Sequence, residues 1–324
     1  MSTLYAMVRS VEDEGSHPAG DDPDWQESAY LAWRDPVSGL GGNHRVGNEV
    51  NRNTANLWCG VYHEDGTRFR HNDEELALPH IAGHGLGAGP QRIFHDGERL
   101  RFVLEGDGCQ MDLEIEDDPE TFNESTAGAF AGSAGAAGAI FSSNFHVFCR
   151  VRGTVTLDDR TAEIDGSGWR DHSWGVRRWD SFLASRSFGG SFGRSLEFRY
   201  GSMVGANGSF FRHGSLTSEG KALPVASSNM LVHLDDDSVR CPSAEVEYHL
   251  VSGETMRIRI ETIGGMIGAT GQRFGWESVG DVWVDGEPGG WGFLEVNNNP
   301  RNGAHPPSFV LSDALTNGVT RRES

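Results

Sequence analysis

The sequence predicts an all-β fold, an antiparallel β-barrel or β-sandwich, and three observations carry that reading. Apolar residues recur at period two over short stretches, turn residues punctuate those stretches at fairly regular spacing, and sustained helical periodicity is hard to find. Glycine is the commonest punctuation, with 44 of the 324 residues, most of them between apolar stretches. In chain order, residues 99–104 read as a strand, Gly106-Asp107-Gly108 as its turn and 109–116 as the returning strand. Residues 146–157 and 161–169 follow the same grammar around Asp158-Asp159-Arg160, and 195–204 and 229–234 add further strands. Residues 244–251 and 254–263 form another hairpin about Ser252-Gly253. In its second arm Met256, Ile258 and Ile260 alternate with Arg257, Arg259 and Glu261, as a half-buried strand requires. Residues 281–284 close the set. The tract 127–139, AGAFAGSAGAAGA, has almost no side chain to pack and reads as a linker or mobile loop. It predicts two β-domains, one over residues 1–135 and one over 136–324.

Charge and cysteine usage narrow the function classes. The formal net charge is −20, from 47 acidic against 27 basic side chains. That balance argues against nucleic acid and anionic membrane surfaces as partners, because both need a basic face to neutralise phosphates. Cys59, Cys109, Cys149 and Cys241 include no CxxC pair, so neither a zinc ribbon nor a dithiol redox site is expected. Residues 1–22 lack the basic and apolar regions of a secretory signal, and no apolar run is long enough for a membrane-spanning helix. A reduced cytoplasm is the expected location.

Three local motifs do not carry chemistry. Gly189-Gly190-Ser191-Phe192-Gly193 matches GxSxG, but a nucleophile elbow needs a helix after it and another strand follows here. Gly83 to Ala88 matches a loose dinucleotide fingerprint, but Pro90 falls where the phosphate-binding helix should run. His80 and His84 have the i, i+4 spacing of a helical metal pair, yet Gly83, Gly85 and Gly87 surround them. No metal site and no cofactor are expected.

The densest cluster of functional residue types is Gly168 to Trp179, with three indoles, three guanidiniums, a carboxylate and an imidazole. In an extended chain Trp169 and Asp171 share one face, and Arg170, His172 and Trp174 share the other. Upstream, His146, Phe148 and Arg150 fall on one face of their own strand. Pairing of the two strands through the turn at Asp158 brings His146 close to Asp171.

FHVFCRVRGTVTL from Phe145, EIDGSGWRDHSWGVRRW from Glu163 and GGWGFLEV from Gly289 resemble the carotenoid 1,2-hydratase (hydroxyneurosporene synthase) and AttH-like superfamily. The resemblance implies two lipocalin-like β-barrel domains and hydrophobic, often isoprenoid or polyketide, substrates handled without a redox cofactor. Some members hydrate alkenes, and fungal members of similar fold catalyse Diels–Alder cyclisations. The family's essential Asp, two residues after an aromatic, and its His on a preceding strand correspond to Asp171 with Trp169 and to His146. Where the hydratases carry Tyr this chain has Trp169, and Phe148 stands where they have Trp.

The residues themselves support acid chemistry in an apolar cavity. A carboxyl walled by indoles loses solvation in its charged form and holds its proton closer to neutrality. Trp169, Trp174 and Trp179 offer π faces to a developing cation, and Phe148 and Arg177 complete the expected binding set. His146 or His172 would hold or activate water. A guanidinium paired with Asp171 would have the opposite effect, lowering its pKa and making it a base or an ion-pair partner. The expected function is hydration or dehydration of a hydrophobic small molecule; the alternatives are an isomerase or cyclase using the same pocket, and a non-catalytic carrier of a hydrophobic ligand.

Overall fold

The computed structural model describes residues 16–80, 85–118, 143–193, 195–270, 273–299 and 315–321. Among these the chain is nearly all strand, as the sequence predicts. The first ten strands are β1 (Trp25–Asp35), β2 (Leu40–Glu49), β3 (Thr54–His63), β4 (Arg68–Ala77), β5 (Gly85–Ala88), β6 (Gln91–His95), β7 (Leu100–Gly106), β8 (Cys109–Asp117), β9 (Ser143–Leu157) and β10 (Arg160–Val176). The remainder are β11 (Phe182–Phe192), β12 (Leu196–Gly205), β13 (Phe210–Ser218), β14 (Lys221–Leu223), β15 (Val225–His233), β16 (Ser243–Leu250), β17 (Thr255–Thr270), β18 (Arg273–Val284), β19 (Glu287–Asn298) and β20 (Gly318–Thr320).

They form two antiparallel sheets, lipocalin-like in character. The first runs β20-β4-β3-β2-β1-β10-β9-β8-β7-β6-β5 and the second β14-β13-β12-β11-β19-β18-β17-β16-β15. The hairpins turn where left-handed backbone is cheap. Gly108 (φ 79°) closes β7 to β8, Asp158 (φ 59°) closes β9 to β10, and Asp285-Gly286 (φ 49° and 91°) closes β18 to β19. Sheet membership differs from the division expected at the Gly/Ala tract. β9 and β10 pair with β8 and β1, so the first sheet takes its strands from residues 25–176 and 318–320, and the chain passes to the second at 177–181. The local composition of 127–139 could not reveal this, because long-range pairing decides it; the tract itself lies outside the described residues.

Three apolar clusters result. One packs on one face of the first sheet around Leu31, Trp33, Phe102 and Leu113, and a second lies on the second sheet around Phe188, Phe198, Tyr248 and Ile260. The third joins the sheets and is largely aromatic: Tyr30, Trp58, Tyr62, Phe148, Trp169, Trp291 and Phe293. Arg34, itself buried, fastens this junction through its Nε to Asp281 Oδ1 at 3.1 Å. The four cysteines are buried free thiols, which fits packing and not redox chemistry.

Several glycines in this scaffold leave no room for a side chain, and Gly153 combines that with a positive φ. Gly153 in β9 has φ 145°, and a Cβ there would stand 2.0 Å from the Asp112 carbonyl oxygen of β8. Gly153→Ala should therefore cost about 2 kcal/mol or more in urea unfolding, since backbone strain and backbone overlap add. A variant of wild-type midpoint would refute the register.

Candidate active site

β10 carries the site because its alternation sends Trp169, Asp171 and Ser173 toward the second sheet. Arg170, His172 and Trp174 point to the opposite face of the first. The expected pairing is realised: Asp171 stands opposite His146 on β9 and opposite Tyr30 on β1. His146 Nε2 lies 3.9 Å from Asp171 Oδ2, wider than a direct hydrogen bond. The Tyr30 hydroxyl accepts a hydrogen bond from Asn43 at 2.7 Å, which holds that ring against the site.

The second sheet supplies the opposing wall. Phe293 of β19 stacks on Trp169 at 4.6 Å between ring centroids. Arg199 of β12 donates from its NH1 to His146 Nδ1 at 2.6 Å, and its guanidinium lies 4.8 Å from the Trp169 ring centroid. A guanidinium only donates, so His146 accepts at Nδ1 and carries its proton on Nε2, which requires the Asn144 side-chain amide, 3.4 Å from Nε2, to present its oxygen there. The electrostatics agree, because burial and the positive Arg199 hold the His146 pKa well below its ordinary value. In this form His146 is a neutral hydrogen-bond donor to the site.

Asp171 has its pKa raised to about 6, chiefly by burial. The positive Arg177 opposes that shift, the negative Glu295 of β19 adds to it, and Arg45 opposes it. Its side chain nonetheless keeps 24% of its surface. The carboxyl is thus largely desolvated yet partly reachable by water. The arginines around it are engaged with other groups. Arg170 pairs with Asp117 at 2.7 Å, Arg178 with Asp22 and Asp24, and Arg177 with Ser173 and Ser28. The neutral His146, 3.9 Å away, faces Asp171 as a dipole and not as a charge.

Other expected residues divide between two places. Trp169, Phe148 and His146 line the junction with Asp171. Arg177 lies at the end of β10, 5.5 Å over the Trp179 ring, and Trp179 also faces Arg45 at 6.0 Å. His172 and Trp174 are not brought to Asp171: on the far side of β10, His172 Nε2 meets Glu27 at 3.0 Å and Trp174 stacks on His17. Residue types alone grouped His172 with the site; its odd offset from Asp171 decides otherwise.

Sequence reasoning missed Tyr30, Arg199, Phe293 and Glu295. The alternation of Trp291, Phe293 and Glu295 in GGWGFLEV was a usable signal for one face of β19, whereas nothing local marks Arg199. Two buried indole N–H groups, on Trp169 and Trp291, have no acceptor among the described residues. A cavity of about 410 Å³ lies beyond Phe148 and Trp291; Asp171, His146 and Trp169 do not line it, and Glu116, Asp117, Asp118 and Asp165 give it an acidic wall. Phe148, Trp291 and Glu197 are among the residues that line it. Burial and the nearby Asp118 push Glu197 up to about 7.

Residues 10–300 match the family described as Domain of unknown function DUF7064. The chain belongs to the DUF7064 family. No curated protein matches this DUF7064 chain. Solved structures do share its fold. An AttH candidate from Nitrosomonas europaea is 12% identical, with a TM-score of 0.62 over 91% of this chain and 99% of its own. Kievitone hydratase from Nectria haematococca is 10% identical, with a TM-score of 0.60 over 91% of this chain and 94% of its own. CghA with Sch210972 is 9% identical, with a TM-score of 0.54 over 86% of this chain and 89% of its own. At these identities the likeness is one of fold. It accords with the superfamily that the three sequence segments resemble, and it does not single out the carotenoid hydratases.

Proposed function

We propose that the DUF7064 chain is a hydro-lyase that adds water to, or removes it from, a hydrophobic terpenoid- or polyketide-like molecule without a redox cofactor. The observation that carries this reading is Asp171: a largely buried carboxyl with its pKa raised to about 6, beside aromatic rings contributed by both sheets. The likeness in fold to a kievitone hydratase supports it.

In the hydration direction the protonated Asp171 gives its proton to one alkene carbon. The cation left on the other carbon faces the π systems of Trp169, Tyr30 and Phe293, each worth roughly 1–2 kcal/mol when desolvated. Water adds to that carbon, and the Asp171 carboxylate takes the proton that the water loses, so the acid is regenerated within one turnover. His146, donating from Nε2, orients the water oxygen; Arg199 fixes that tautomer.

A cyclase is the second reading, and Arg199 favours it. A guanidinium against Trp169 opposes a carbocation, whereas together with the His146 N–H it would polarise a carbonyl of a conjugated substrate.

Incubation of terpenoid or polyketide alkenes with the protein in heavy-oxygen water tests the proposal. Label in the product is the expected result. A product of unchanged mass would move the chain to the cyclase or isomerase class. A ligand bound in native mass spectrometry and recovered unchanged would make it a carrier.

A further inference from the structure

The face of β10 turned away from Asp171 holds a second polar centre that the proposed water chemistry does not use. Glu27 of β1 is buried, with 1% of its surface exposed. Among the described residues its side-chain hydrogen bonds all come from two histidines. His17 Nδ1 lies 2.6 Å from Glu27 Oε1, His172 Nε2 lies 3.0 Å from the same oxygen, and the His17 backbone N–H reaches both carboxylate oxygens. The three ligand atoms, two imidazole nitrogens and one carboxylate oxygen, lie within 4.8 Å of one another. No lysine or arginine hydrogen-bonds or ion-pairs with this carboxyl group among the described residues; its partners are the two imidazoles and the His17 backbone N–H.

We propose that His17, Glu27 and His172 form a binding site for a divalent first-row transition ion of the zinc class, with water completing a tetrahedron. The donor set is the borderline-soft nitrogen and oxygen set that zinc accepts. Both rings are held before any ion arrives. His17 lies flat on Trp174 at 3.7 Å between centroids, and His172 is wedged edge-on between Phe145 and Trp174 at 5.7 and 5.4 Å. Register puts Trp174 opposite Glu27 and His172 opposite Ala29, so Glu27 and His172 are diagonal neighbours on one face. Bonds of 2.0–2.1 Å to a tetrahedral zinc separate ligands by about 3.3 Å. The observed 2.6 and 3.0 Å contacts thus need to open only by tenths of an ångström. The ion would displace the protons that the two imidazoles now direct at Glu27, neutralise the buried carboxylate and clamp the segment before β1 onto the strand that carries Asp171. Its role is structural, and it stands whether or not Asp171 performs water chemistry.

The test titrates chelator-treated protein with zinc chloride by calorimetry and with Co²⁺ by visible absorption, beside His17→Phe and Glu27→Gln. The phenyl ring of His17→Phe keeps the stack on Trp174, so that variant should fold even if the buried Glu27→Gln does not. The expected result is one ion per chain, a tetrahedral Co²⁺ spectrum and a raised melting temperature with zinc. Affinity should fall in both variants by at least the roughly 100-fold at the upper end of what losing an outer-shell partner costs. Asp171→Asn should bind zinc as wild type does, since it faces the other way. Absence of zinc binding, equal affinity in His17→Phe, or loss of zinc in Asp171→Asn would overturn the site and leave a hydrogen-bonded triad.

Discussion

Replacing Asp171 by Asn should lower water addition by about 10²–10⁴-fold, the usual range for a lost general acid, and at the same time stabilise the fold at neutral pH. The two effects share a cause. The folded carboxyl has a pKa of about 6 against an ordinary 3.8. Below pH 3.8 it is neutral in both folded and unfolded chains, and its contribution to stability is fully present. As pH rises through about 6 the folded chain must hold an ionised carboxylate in a largely desolvated position, and that contribution is lost. At about 1.4 kcal/mol for each tenfold, the difference is at most about 3 kcal/mol, and partial solvent access reduces it to about 1–3 kcal/mol. Asparagine keeps the shape without the charge. Chemical denaturation should therefore find the variant more stable than wild type at pH 8 and level with it at pH 4. For wild type, kcat/KM for hydration should fall as pH rises through about 6. Equal stability differences at both pH values would show that the carboxyl is not desolvated, and retained activity would remove Asp171 as the acid.

Phe293→Ala should be the most damaging single truncation at the junction of the sheets, costing about 3–5 kcal/mol in urea unfolding. The ring is fully buried, stacks on Trp169, and meets Tyr30 edge-on at 6.4 Å. A Cβ at Gly189 on the neighbouring strand would stand 2.7 Å from it, so the ring occupies the space that a bare backbone leaves. Removing it opens a cavity where the sheets meet and removes the ring that backs Trp169 beside Asp171. Activity should fall further than residual folding explains, since Trp169 loses the partner that fixes its plane. Phe293→Leu, which retains most of the apolar volume, should be much milder, and Val37→Ala, at a 95% exposed side chain, should stay within about 0.5 kcal/mol of wild type. A Phe293→Ala protein as stable as wild type would mean that the sheets are held by the Arg34–Asp281 contact and not by the aromatic cluster.

The sequence by itself determined that the chain is all-β, where several hairpins turn, and which residues of 146–157 and 161–176 share a face. Period-two alternation and turn residues are local properties of the chain, and they sufficed to bring His146 into the neighbourhood of Asp171 and to put His172 on the other face of its strand, while the register that sets Asp171 opposite His146 came with the structure. The three quoted segments pointed to a family whose fold the solved structures share. Tertiary structure alone decided what each face meets. Arg199 reaches His146 across 53 residues, and Glu27 reaches His172 across 145, both through packing that no local pattern encodes. The same long-range pairing drew β9 and β10 into the first sheet, against the division that the Gly/Ala tract suggested. Alternation says which side chains travel together. Only the assembled sheets decide whether a carboxyl meets an arginine, an aromatic wall or an imidazole, and with it whether the carboxyl holds a proton near neutrality.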